Sequence, residues 1–68
     1  MMSAEVEQKV LACLRKSAPK DMSIEELAEA TKLHRNTVSK YVAILEAGRK
    51  IIMTRTLGNA KMFKLKEA

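Results

Sequence analysis

Leu27-Ala28-Glu29-Ala30-Thr31-Lys32-Leu33-His34-Arg35-Asn36-Thr37-Val38-Ser39-Lys40-Tyr41-Val42 decides how the rest of this 68-residue chain is read. Its apolar residues recur at helical spacing on both sides of a short polar break, so it predicts two short helices joined by a tight turn. The second helix carries a hydrogen-bonding face of Asn36, Thr37, Ser39 and Lys40. Such a face, without large apolar groups, suits a helix that docks onto a polar surface rather than into a core.

The flanks support this reading. Ser23 opens the first of the two helices with a capping box: its hydroxyl can accept from the Glu26 backbone N–H, and the Glu26 carboxylate can accept from the Ser23 N–H. Ile24, Leu27 and Ala28 then face inward over a helix at about residues 24–31. The second helix is expected at about 35–47, with His34 near its N-cap. Gly48 is expected as the residue of positive φ just past its end, followed by Arg49 and Lys50 near the negative helix terminus. Val38, Val42 and Leu45 share one face with Tyr41 on its edge, while Asn36, Lys40, Ala43 and Ala47 lie opposite. The two alanines let the helix approach a surface closely. Ile44 fits neither face and is read as packing against the first helix.

That first helix is expected at about residues 3–17. Ser3 is its N-cap and Glu5 and Glu7 lie in its first turns, where the positive helix end favours them. Val6, Val10, Cys13 and Leu14 form one stripe, with Leu11 off it, either widening the buried face or meeting another chain. Ala18-Pro19 stops the helix, because proline disfavours helical geometry in the residue before it. Met22 is expected in a brief third strand.

The tail changes to period two. Residues 51–56 and 61–66 read as strands of a hairpin, a wing at about 51–66. A two-residue type II′ turn at Gly58-Asn59 sets Ile52 opposite Leu65, Thr54 opposite Phe63 and Thr56 opposite Lys61. Ile52, Phe63 and Leu65 then share a buried face, with Arg55, Met62 and Lys64 on a basic one; a longer loop shifts this register. The fold class is α+β, mostly α: three helices plus a C-terminal two-stranded hairpin, in a single domain spanning residues 1–68.

Charge divides the chain. Residues 1–30 carry four basic and six acidic side chains, a net of −2, and residues 31–68 carry nine basic and two acidic, a net of +7. The positive half begins inside the decisive stretch, and a polyanion is its natural partner. One cysteine, Cys13, precludes a disulfide framework within the chain and fits a reducing, cytoplasmic setting. No apolar run approaches the roughly 18 residues of a membrane span, and the first five residues have neither the basic nor the apolar region of a signal peptide. Tyr41 and Phe63 are the only aromatics, too few for a base-stacking platform.

The order helix, helix, turn, helix, hairpin resembles the winged helix-turn-helix family of DNA-binding domains, in particular small bacterial and archaeal transcriptional regulators. Residues 23–30 are similar to the first motif helix, with Ala28 as the small residue where the helices meet. Leu33 sits at the apolar turn position, 35–42 resembles the recognition helix and 45–48 its end, and Gly58-Asn59 stands at the wing tip. Two departures are Lys32, where the family usually has glycine, and Arg49-Lys50, where it often has an apolar residue.

The resemblance implies a recognition helix in the major groove of double-stranded DNA. Asn36 would bond an adenine edge, Arg35 or Lys40 would read guanine, Thr37 and Ser39 would meet phosphates or bases, and the Tyr41 hydroxyl a phosphate. Arg55, Asn59 and Lys61 on the wing would reach flanking backbone or minor groove, and Lys32 and Lys64 would contact phosphates. A homodimer through the first helix is expected to read two half-sites, near the nucleoid. Alternatives are a winged-helix protein-interaction module in a larger complex and a binder of structured RNA. Cys13 reads as a small buried hydrophobe and His34 as a cap or phosphate neighbour. No metal, cofactor or small-molecule ligand is expected. Without a nucleophile–base pair, a phosphate-cradling glycine loop or a spaced carboxylate pair, no enzyme is expected either.

Overall fold

The elements follow from local chemistry that the computed structural model, describing residues 4–66, makes explicit; the Ser3 cap lies outside those residues. In chain order they are α1 (Ala4–Ser17), β1 (Met22–Ser23), α2 (Ile24–Thr31), α3 (Arg35–Ala47), β2 (Ile51–Leu57) and β3 (Ala60–Leu65). Three helices pack on a three-stranded antiparallel sheet of order β1-β3-β2. This is the winged-helix architecture, including the brief strand at Met22.

Helix α2 begins with the complete capping box: Glu26 N–H donates to Ser23 Oγ at 3.1 Å, and Ser23 N–H donates to Glu26 Oε1 at 2.9 Å. It ends on Lys32, whose φ of 59° and ψ of 33° are left-handed and whose N–H donates to the Ala28 carbonyl. The Leu33 N–H donates to the same carbonyl at 3.2 Å. Lys32 thus adopts the backbone conformation that glycine reaches without steric penalty, and the turn stays tight.

Helix α3 starts on His34, whose Nδ1 accepts from the Asn36 N–H at 3.1 Å. Its far end corrects the expectation for Gly48, which has φ −81°; the left-handed residue is Arg49, at φ 60°. Arg49 N–H donates to the Glu46 carbonyl at 3.0 Å and Lys50 N–H to the Leu45 carbonyl at 2.9 Å. These two bonds make a Schellman motif with Arg49 in the left-handed position that glycine usually takes, one residue after Gly48.

One core joins Val10 and Leu14 of α1, Leu27 and Ala28 of α2, Val38, Val42 and Leu45 of α3, and Ile51 and Phe63 of the sheet. Leu11 and Cys13 pack against it half-buried, so Leu11 widens the α1 face toward the protein's own interior. Ile44 is half-buried. Tyr41 is not on the rim of its helix face but buried, 5% exposed.

The wing turn is two residues long, with Leu57 paired to Ala60, Gly58 at φ 59° and Asn59 not at positive φ. That is the sign pattern of a type II′ turn. The expected register holds next to the tip, where Thr56 faces Lys61, and then fails. A bulge between Met53 and Arg55 drops Thr54 out of the ladder, so Met53 faces Phe63, Ile52 faces Lys64 and Ile51 faces Leu65. One extra residue reverses the faces of everything beyond it. Ile51 is therefore the core residue and Ile52 is exposed. Met62, expected on the basic face, is buried too, on the central strand between Ser23 and Arg55.

Candidate nucleic-acid interface

Successive residues of a helix are about 100° apart, so exposure along α3 maps directly onto a face. Seven residues of α3 are exposed: Arg35, Asn36, Ser39, Lys40, Ala43, Glu46 and Ala47. At that spacing they occupy one arc of about 140°, with Thr37 and Ile44 half-buried at its border. Val38, Tyr41, Val42 and Leu45 fill the opposite side. Arg35, Asn36, Ser39 and Lys40 cluster in the first two turns of the arc, and the later turns carry Ala43, Ala47 and the acid Glu46. Tyr41 is withdrawn from this surface because it points to the buried side, a correction to its expected place at the phosphate-facing edge.

Arg35 begins the helix and lies 3.6 Å from Glu25 of α2 through Nη1 and Oε1, with both side chains about two-thirds exposed. An exposed pair of this kind contributes about 0–1 kcal/mol, so an anion can displace Glu25 readily. Arg35 also lines a groove of about 470 Å³ with Ser23, Ile24 and Glu25 on one side and Leu57, Asn59 and Lys61 of the wing on the other. The fold thus brings Arg35, Asn59 and Lys61 together across more than 20 residues of sequence. Lys32 is exposed on the turn between α2 and α3.

Arg55 and Lys64 belong to a different neighbourhood. They line a shallow cavity of about 360 Å³ with Pro19, Lys20, Asp21 and Thr54. Arg55 grips Asp21 with two donors, Nε to Oδ2 at 3.0 Å and Nη2 to Oδ1 at 3.3 Å. Thr54 Oγ1 donates to the same carboxylate. Thr54, displaced from the ladder at the bulge, directs its hydroxyl toward Asp21. The Thr54 hydrogen bond and then the Arg55 guanidinium hold the Asp21 carboxyl below its ordinary pKa, outweighing the opposing effect of its burial. Arg55 is thereby bound to a buried acid that fastens the wing to the segment before β1, and Lys64 is half-buried beside it.

Sequence reasoning missed Asp21, Thr54 and Glu25. Glu25 was accessible in principle, since a carboxylate at the start of one motif helix and an arginine at the start of the next are close in this geometry. Nothing local marks Asp21, whose partners lie 33 and 34 residues away. Among the described residues there is no group of three or more His, Cys, Asp or Glu arranged to hold a metal, and no helix long and apolar enough to cross a membrane.

The helix-turn-helix (HTH) domain family matches the chain over residues 6–58, from the first turn of α1 to the glycine at the wing tip. Comparison with the curated proteins finds no match.

Proposed function

The chain belongs to the helix-turn-helix domain family, and on that footing we propose that it is a small transcriptional regulator that binds double-stranded DNA sequence-specifically. The observation that supports this most is the exposed arc of α3. It is polar and basic near its start, small-residued beyond, and carried on the half of the chain with net charge +7. In this reading the first turns of α3 enter the major groove, as recognition helices do. Asn36 reads adenine, Arg35 or Lys40 reads guanine, and Ser39 and Thr37 meet phosphates or base edges at the border of the arc. Ala43 and Ala47 let the helix lie close.

Asn59 and Lys61 at the wing tip reach the flanking backbone or minor groove, and the cavity they share with Arg35 leaves a path for a DNA strand between helix and wing. Lys32 and Lys64 contribute phosphate contacts, which position without specifying. Tyr41 leaves the contact set because it is buried, and Arg55 is assigned to holding the wing through Asp21. Such a regulator acts in the cytoplasm, on the nucleoid.

Selection of random duplex DNA by the purified protein, followed by salt titration of the winning sequence, tests the proposal. An enriched motif whose affinity falls steeply with salt supports it. Absence of enrichment, with only weak binding at low salt, rejects it in favour of an interaction module. On the selected sequence, Lys40→Ala is expected to weaken binding by about 1–3 kcal/mol. Unchanged affinity at two salt concentrations removes Lys40 from its role.

A further inference from the structure

The helix first expected to pair two copies has no large apolar residue to offer. Val10 and Leu14 of α1 are buried, and Val6 and Leu11 are half-buried. The exposed large apolar residues, among those described, are Ile52, Met53 and Leu57, and all three lie on β2. β2 is also the edge of the sheet, with β3 on one side and no strand on the other. An edge strand that exposes apolar side chains is a template for pairing with another strand.

Two of the three sit in one groove. Ile51, Ile52 and Met53 line about 430 Å³ with Glu46 and Arg49 from the end of α3 and Lys66 after β3. The centre is apolar, and its rim carries an acid at Glu46 and bases at Arg49 and Lys66. A patch with both signs of charge around an apolar centre is complementary to itself under a two-fold axis, which sets the acid of each copy against the bases of the other. The rest of the C-terminal half is basic and repels its own kind.

We propose that a second copy of this chain docks here, forming a two-fold dimer through the start of β2. The free edges of residues 51–53 run antiparallel, so Ile52 meets Ile52 of the other copy on one face of the sheet, Met53 meets Ile51 of the other copy on the opposite face, and Glu46 of each copy faces Arg49 and Lys66 of the other. The bulge at Thr54 ends regular pairing after three residues, so the contact is short and weak. The other edge of the sheet, β1, is only two residues long, too short to pair with a further copy, so the pairing closes on itself rather than propagating. The surface is separate from the exposed groove-facing start of α3, and the inference does not depend on DNA binding.

Sedimentation equilibrium of the full chain without DNA, from micromolar to millimolar protein, tests it. Reversible monomer–dimer association is expected, weakened about tenfold or more in Ile52→Lys and in Met53→Lys. Both positions are exposed, so circular dichroism should report an unchanged fold. Glu46→Arg should also weaken the dimer, and adding Arg49→Glu should restore it toward the wild-type constant, an outcome that loss of folding cannot produce. A wild-type chain that stays monomeric throughout overturns the proposal and leaves the patch to another protein. Lysine variants that associate as well as the wild type overturn it too.

Discussion

Asp21 shows how much of this fold rests on single side chains outside the regular elements. Its carboxylate accepts from Thr54 and from two donors of Arg55, tying the segment before β1 to the middle of the wing. Those contacts depress its pKa in the folded chain, so across the acidic range the unfolded chain binds more protons. The contribution is complete above the ordinary aspartate value and is lost as pH falls from about 4 through the lower folded value. Asp21→Asn should therefore destabilise the protein at neutral pH, with the gap to wild type closing in acid. Urea midpoints at pH 7 and in the acid limb measure this, and a pH-independent gap would show that the charge is not the source. Lys32 allows a second test. Replacing it with glycine relieves a left-handed backbone and should stabilise the fold by about 0.5–1 kcal/mol. The same change removes a cation proposed to meet phosphate, so DNA affinity should fall while stability rises. A parallel change in both would separate Lys32 from the DNA.

At the scale of elements, the legible parts were those whose causes lie within one turn of chain. The capping box at Ser23 and Glu26 is a four-residue interaction, and the structure contains both of its bonds. Ser23→Ala removes one bond and should cost about 1 kcal/mol in thermal or urea unfolding. Because Ser23 also belongs to β1, paired with Met62, a loss far above that range would show that the strand contact had gone with the cap. The faces of α3 were largely readable from periodicity, apart from Tyr41, where an aromatic at the border was drawn inside. The hairpin was readable at its tip, since Gly58 adopts the positive φ that the turn requires. It was not readable beyond the bulge, because a bulge is decided by what the extra residue contacts. Thr54 leaves the ladder toward Asp21, and that partner is remote in sequence.

For the whole molecule, a small core supplies the stability that three helices and a short sheet need. Leu14, Leu27, Leu45, Ile51, Val10 and Val38 are its largest fully buried side chains. Leu27 belongs to the motif helix and is fully enclosed, so Leu27→Ala should destabilise by about 2–5 kcal/mol. In a chain this small that is a large share of the total, and the variant should melt far below the wild type or fail to fold. A mild loss would mean that the core collapses around the gap. Charge also acts at this scale. The half-chain split of −2 and +7 was a property of the sequence, but which cations stand free was not. Arg35, in the groove it shares with Asn59 and Lys61, is held only by an exposed pair with Glu25, whereas Arg55 is held by the buried Asp21.

The sequence by itself determined the order and type of the elements, the N-caps at Ser23 and His34, the polar face of α3 and the basic C-terminal half. Each of these depends on residues within a few positions of one another or on composition alone. Tertiary structure decided the rest: that Thr54 is extruded and Ile51 buried, that Tyr41 turns inward, and that β2 is left with an open apolar edge. These outcomes depend on contacts between segments far apart in the chain, and side chains take the conformation that the assembled neighbours leave them. The stretch from Leu27 to Val42 predicted the motif. Its place beside the wing came only from the fold.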